Sequence, residues 1–256
     1  MRNSKQLPIS NRNPVCVFNR STVFILLISV TCLSQAGCRM RANNHNAVGI
    51  QAFQTGQIGQ AINEFQKALV ADRQNSNAYY NLGSVYATLG KQQNNKTWLE
   101  QAEQLFRQAI SLNDQHTDAH RSLAALLIET GREKFAFDLM NTWKQRYPGQ
   151  TEPLIELARL YQEYGDKRRA GDLLTDALKL DGNNVRALKA LGHIRESEGQ
   201  VQLAMENYMT VLQLDPSQSD VMTRVAALQN QIANAAGNLA QPAPPRYGAT
   251  DPYDRR

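Results

Sequence analysis

The chain has 256 residues, of which 42% are hydrophobic and 20% charged, which excludes a charge-rich disordered polymer and leaves enough apolar matter for a core. The net charge of +5 belongs mostly to residues 1–37, which carry Arg2, Lys5, Arg12 and Arg20 and no acid; the remainder balances 24 basic against 23 acidic residues, which argues against nucleic acid as a partner. Cys16, Cys32 and Cys38 all lie in the first 38 residues, so the body of the chain has no cysteine for a disulfide, a zinc knuckle or a nucleophile.

The chain opens polar and basic, turns apolar from Val23 to Leu33, and then reads Ser34-Gln35-Ala36-Gly37-Cys38. A basic start, a short apolar run and small residues at its end predict a secretory signal over 1–37. The run is shorter than the roughly 20 residues a spanning helix needs. The Ala-Gly-Cys ending resembles the lipobox of bacterial lipoproteins, although Gln35 stands where that family has an aliphatic residue. The resemblance implies cleavage before Cys38 and lipidation of its thiol. An ordinary signal cut near Ala36, or an uncleaved anchor, stays open. Each version exports the body; with Arg39 after the cysteine, the expected place is the outer membrane or cell envelope, on the periplasmic face.

After a linker over 38–41, the sequence repeats itself. Gly56 and Gly90 are 34 residues apart, as are Gly131, Gly165 and Gly199; Ala102, Ala136, Ala170 and Ala204 form a second ladder of the same period. Ala61 to Ala102 and Gly90 to Gly131 are each 41, so one seven-residue insertion at about 91–101 accounts for both offsets. Small residues at Gly49, Gly83, Ala124, Ala158 and Gly192 let paired helices approach closely. The ladder glycines suit a left-handed residue closing each first helix. Pro148 and Pro216 stop second helices.

This pattern resembles the tetratricopeptide repeat family over residues 42–218. The second repeat carries it most fully, with Tyr79, Leu82, Gly83, Tyr86, Gly90, Ala102, Phe106 and Ala109. The resemblance implies an all-α fold: a right-handed α-solenoid of five helix-turn-helix repeats over 42–235, closed by a capping helix at 220–234. Val221, Val225, Leu228 and Ile232 give that cap one apolar face. Trp143 stands where the family has a small residue and Arg195 where it has an aromatic one, which predicts local irregularity. Residues 236–256, rich in proline, glycine and polar residues, read as a disordered tail.

No constellation for catalysis emerges. His45, His116, His120 and His193 have no partner at metal-ligand spacing, and no phosphate loop or nucleophile elbow is present. His120 and His193 fall on first helices as surface or groove imidazoles, and Glu152, Glu156 and Glu163 read as helix-face charges. Asn95-Lys96-Thr97 is a bare sequon. The expectation is a non-enzyme with no cofactor and no metal.

In the family the first helices line a concave groove. Counting repeats from Ala42, Ser76, Thr117, Thr151 and Val185 places Phe53 and Tyr80 there as apolar anchors, and Arg121, Arg159, Arg186, Lys189 and His193 as a basic end for a carboxylate or acidic segment. The Lys/Asn/Arg set with which other members clamp chaperone tails is absent. The resemblance therefore implies a membrane-tethered scaffold that holds a protein or peptide, as in assembly of a pilus, secretin or other envelope complex. Two readings compete with it: a self-associating structural protein, and an adaptor for an envelope peptidase or cell-wall hydrolase.

Overall fold

The computed structural model describes residue 37 and residues 39–239, with side chains through residue 234; residues 1–36 of the expected signal, Cys38 and residues 240–256 lie outside the described residues. Eleven helices run through the described residues. They are α1 (39–54), α2 (Ile58–Ala71), α3 (Ser76–Gln92), α4 (Lys96–Leu112), α5 (Thr117–Glu129), α6 (Glu133–Arg146), α7 (Thr151–Glu163), α8 (Lys167–Leu180), α9 (Val185–Ser197), α10 (Val201–Leu214) and α11 (Ser219–Leu239). Ten make five helix-turn-helix pairs and the eleventh follows the last pair. No strand occurs among the described residues.

Two differences lie at the ends. Helix α1 already includes residues 39–41, expected as linker, and α11 runs on through 236–239, expected as tail. Both stretches lack proline, and Ala235 and Ala236 favour helix.

Turns within pairs are closed by glycine where the left-handed backbone demands it: Gly56, Gly131, Gly165 and Gly199 have φ between +71° and +78°. Gly90 is the exception and corrects the expectation. It lies inside α3 with ordinary helical φ, and the left-handed residue of that turn is Asn94 (φ 49°). The seven-residue insertion is no loop. Helices α3 and α4 have 17 residues each, against 13 in α5, α7 and α9 and 14 in α2, α6, α8 and α10. One added turn on each helix absorbs it, and Gly90 becomes the close-approach point for Leu99, whose Cδ2 would lie 2.6 Å from an added Cβ.

Turns between pairs share an Asx device. Asp72, Asn113, Asp181 and Asp215 each accept a side-chain hydrogen bond from the backbone N–H two residues on (2.9–3.2 Å). Asn75 and Asn184 then cap the following first helices with their side-chain oxygens, and within pairs Asn95 and Asp166 cap α4 and α8 in the same way. The sequon asparagine, Asn95, is thus a helix cap.

The chain folds as two compact units, one ending at Ala119 and the other beginning at His120. In the first, α2 packs on α3 and α3 on α4. Ala52, Ala61, Phe65, Leu82 and Val85 form its core. In the second, each helix from α6 to α11 packs on the next. One cluster joins Leu154, Ile155 and Ala158 of α7 and Ala170, Leu174 and Ala177 of α8 to Ala187, Leu191 and Ile194 of α9. Another joins Leu188 of α9 and Ala204, Tyr208 and Val211 of α10 to Val221, Val225 and Leu228 of α11. Within each unit a pair thus hides its apolar face on the next, which is the α-solenoid arrangement, and α11 covers the last pair.

Within a pair, small and large residues complement each other. A Cβ on Gly49 would meet Phe65 at 2.6 Å, on Gly83 it would meet Phe106 at 2.9 Å, and on Gly192 it would meet Tyr208 at 2.5 Å. Where alanine replaces the glycine, as at Ala158, the facing position is the slimmer Leu174.

Candidate functional site

The first helices of successive pairs are tied to one another by polar side chains. In the first unit, Asn75 Nδ2 donates to Asn43 Oδ1 (3.3 Å) and Asn81 Nδ2 to Asn46 Oδ1 (2.9 Å). In the second, Asn184 Nδ2 donates to Thr151 Oγ1 (3.3 Å). The second helices carry ion pairs along their own length, Lys67–Glu64, Arg107–Glu103 and Lys179–Asp176, and Glu64 also meets His45 of α1 at 2.7 Å. Those contribute little, and solvent screens them.

The second unit centres on Glu156 of α7. Its side chain is 0% exposed, and it is the meeting point of three arginines from three successive first helices. Arg121 of α5 grips it with two N–H groups, Nε to Oε2 at 2.9 Å and Nη2 to Oε1 at 2.5 Å. Arg186 of α9 donates Nη2 to Oε1 at 2.5 Å. Arg159, one turn along α7, donates Nε to Oε2 at 3.2 Å and Nη1 to Glu163. Burial opposes the charge on Glu156, but hydrogen bonds from Arg121 and Arg186, with their positive charge, outweigh it and hold the carboxyl at about 2. This corrects the reading of Glu156 as a helix-face charge. A carboxylate buried without such partners would cost several kcal/mol.

The other expected basic residues have partners as well. Lys189 Nζ lies 2.6 Å from Asp220 of α11 and donates to Gln218 at 3.2 Å. The Tyr208 hydroxyl donates to Glu196 (2.7 Å) and lies 3.0 Å from His193 Nδ1. Burial and the nearby Arg224 and Lys189 charges depress the His193 pKa below the ordinary imidazole value. Arg224 of α11 reaches Glu196 at 2.9 Å. Lys189 thus serves the joint between the last pair and its cap, and His193 the packing within that pair. The basic face narrows to Arg121, Arg159 and Arg186.

The apolar anchors are half-buried. Phe53 packs on the core of the first unit. Tyr80 lies between Phe106 (5.9 Å between centroids) and His116 (5.0 Å). His120 also departs from expectation: it is buried, stacked at 4.1 Å and 12° on Trp143. That stacking explains why a large ring fills a position usually small. Arg195, in the aromatic's usual place, donates to the buried Asn207 amide oxygen at 3.0 Å. Both helices continue through these positions without a break. The Glu156 centre was missed because one glutamate among helix charges has no signature. A signal did exist: Arg121 and Glu156 are separated by one repeat plus one residue, as are Asn46 and Asn81.

Among the described residues no group of three or more histidine, cysteine or acidic side chains is placed to hold a metal ion, and no helix is long and apolar enough to cross a membrane.

Comparison with known proteins agrees with this geometry. A family model described as TPR repeat matches residues 51–90, and one described as tetratricopeptide repeat matches residues 76–116 and 185–218. Over these residues the chain carries tetratricopeptide repeats. Repeats of this kind build protein-interaction scaffolds. Curated relatives include the Bos taurus BBSome complex member BBS4, 25% identical over 66% of this chain and 31% of that protein. Another is the Drosophila melanogaster protein O-mannosyl-transferase Tmtc3, 26% identical over 73% of this chain and 20% of that protein. The chain therefore spans a third or less of the length of these two relatives. Among solved structures, the tetratricopeptide protein TTC0263 of Thermus thermophilus has a TM-score of 0.55 at 18% identity, covering 73% of this chain and 98% of that one. Pseudomonas aeruginosa pilF has a TM-score of 0.54 at 17% identity, covering 78% of this chain and 88% of that one. PilW, a type IV pilus biogenesis factor, has the same TM-score and identity, covering 77% and 89%. At these identities the likeness is one of fold.

Proposed function

We propose that this tetratricopeptide protein is a non-enzymatic scaffold tethered to a bacterial envelope membrane, holding a protein or peptide segment along its first helices. The observation that carries the binding face is the polar bonding from one first helix to the next. It fixes amide and guanidinium groups in place before a partner arrives, so less side-chain entropy is lost on binding. The second-helix ion pairs named above stay within one helix or one pair. In our reading Phe53 and Tyr80 border the first unit's part of the first helices, and Arg121, Arg159 and Arg186 the second unit's; Lys189 and His193 act indirectly there, Lys189 through Asp220 of the cap and His193 through Tyr208.

The tether rests on the Ala36-Gly37-Cys38 ending. One acyl chain gives marginal membrane affinity, whereas a diacylglycerol on Cys38 with a further acyl group anchors stably. The envelope assemblies we favour as partners are pili and secretins; PilW, a type IV pilus biogenesis factor, shares the fold. Metabolic labelling with an alkyne fatty acid, followed by membrane fractionation, tests the anchor. The wild-type chain takes up label and sediments with membranes, and Cys38→Ser loses both. A Cys38→Ser chain that sediments unchanged refutes the tether. Cross-linking in intact cells, with partners identified by mass spectrometry, tests the scaffold; recovery of only the chain itself favours self-association instead.

A further inference from the structure

The first pair has an edge that is both basic and apolar. Helices α1 and α2 run antiparallel, so the start of α1 meets the end of α2. A cavity of about 600 Å³ opens there, lined by Arg41 and His45 of α1 and by Gln66, Lys67, Val70 and Ala71 of α2. Val70 is 83% exposed, and Met40, beside Arg41 in the chain, is 71% exposed; no other large apolar side chain among the described residues exceeds 59%. Apolar residues exposed singly are ordinary, but two at one edge, beside a cavity, make a patch. The charge around it is positive. Arg39, Arg41 and Arg73 are exposed, and none pairs with an acid among the described residues. Lys67 is half-exposed and shares Glu64 with His45. Asp72 accepts from the backbone N–H of Gln74. Four basic side chains thus stand against two acids. Cys38, the expected lipid site, directly precedes this edge in the sequence.

Resting on the tether proposed above, we infer that this edge is a second membrane contact, in which Arg39, Arg41, Lys67 and Arg73 meet anionic lipid headgroups while Met40 and Val70 enter the interfacial layer. Arginine and lysine keep their charge in water while their stems lie along apolar surface, so both kinds of side chain fit one edge at headgroup depth. Each basic side chain near an anionic surface strengthens binding about fivefold. A polybasic patch beside a lipid chain is also what converts marginal anchoring into stable anchoring. The lipid alone would leave the body free to swivel, whereas this contact fixes how the first unit sits on the bilayer. A second copy of the chain is a poorer occupant. Its matching edge is equally basic, so a two-fold pairing brings like charges together.

The test is hydrogen–deuterium exchange of the full chain with vesicles of phosphatidylcholine, alone or with about one-third phosphatidylglycerol. Exchange is read over residues 39–45 and 66–73, with 176–181 at the end of α8 as reference. Anionic vesicles slow both edge segments and leave the reference unchanged; neutral vesicles slow them less. Arg41→Gln and Lys67→Gln each weaken the contact about fivefold, read as faster edge exchange with anionic vesicles. Met40→Ser combined with Val70→Ser speeds it with both lipids. Circular dichroism melts check that each variant stays folded. Slowing that is equal with neutral vesicles, that spares 66–73, or that survives all these changes overturns the contact. Slowing without vesicles, growing with protein concentration, assigns the edge to a second copy and overturns it as well. Fatty-acid labelling judges the tether separately. A labelled wild-type chain whose edge stays unprotected keeps the tether and loses the contact. A chain that takes up no label, yet is protected by anionic vesicles, loses the tether and keeps the contact.

Discussion

Replacing Glu156 with glutamine keeps its size and its acceptor oxygen and removes only the charge. Three guanidinium groups then converge on a neutral amide. The magnitude follows from two directions. Lowering the carboxyl from 4.5 to about 2 corresponds to about 3 kcal/mol at neutral pH, because each pKa unit is worth about 1.4 kcal/mol. Removing one partner of a buried ion pair costs about 3–5 kcal/mol, and the partly exposed arginines place this site at the lower end. A loss of about 3 kcal/mol in a chain of this size lowers the melting temperature by about 6–12 °C. Since Glu156 joins α5, α7 and α9, the loss concentrates in the second unit, where amide exchange should speed up first.

The pH dependence sharpens the test. The folded pKa of Glu156 lies below its unfolded value, so its stabilisation is complete above about pH 4.5 and is lost as pH falls through about 2. Other carboxyl groups titrate over the same range, so the informative quantity is the difference between wild type and Glu156→Gln. That difference is full at pH 7 and closes towards pH 2. Glu163→Gln, which removes a half-exposed partner of Arg159, should shift the melt by only about 1–2 °C. Thermal circular dichroism of both variants across this range decides the matter. A Glu156→Gln melt within 2 °C of wild type at pH 7, or a difference that does not change with pH, refutes the stabilising role given to the Glu156 carboxylate.

Two further outcomes concern packing. Gly192→Ala pushes a methyl group against the Tyr208 ring and should cost about 1–3 kcal/mol; Tyr208→Leu in the same chain should recover part of it, as alanine over leucine already does in the fourth repeat, and a double-mutant cycle in urea measures the coupling. At the displaced turn, Asn94→Val should cost about 1–2 kcal/mol because a β-branched side chain resists the left-handed backbone; Gly90→Ala should also destabilise, through crowding against Leu99 and its backbone nitrogen, and urea melts of the two variants check both.

The fold was legible because a repeat multiplies its own signal: a small residue beside a ring at one position means little, but Gly49 with Phe65, Gly83 with Phe106 and Gly192 with Tyr208 state one packing rule three times. A turn ladder of the same kind, Asp72, Asn113, Asp181 and Asp215, was legible and went unread. Its steps are 41, 68 and 34, with the insertion in the first. The Glu156 centre was not legible in the same way, because it occurs once and its partners are ordinary arginines until the helices are placed side by side.

The insertion shows how far a ladder can mislead. Gly90 keeps its step to Gly56, so counting from the N-terminal side assigns it to the turn. Geometry decides otherwise. The two helices of a pair run antiparallel, and extra residues between them stay helical only if both helices lengthen together. Seven residues are close to two helical turns, so four on α3 and three on α4 add one turn to each and keep the apolar faces in phase. The turn then moves four residues on, to Asn94, one of the few non-glycine residues that tolerate a positive φ. Gly90, left behind, is retained for a different physical reason, the close approach of Leu99. A two-residue insertion at the same place would rotate the added residues off the apolar face, and it would have to leave the helices as a loop.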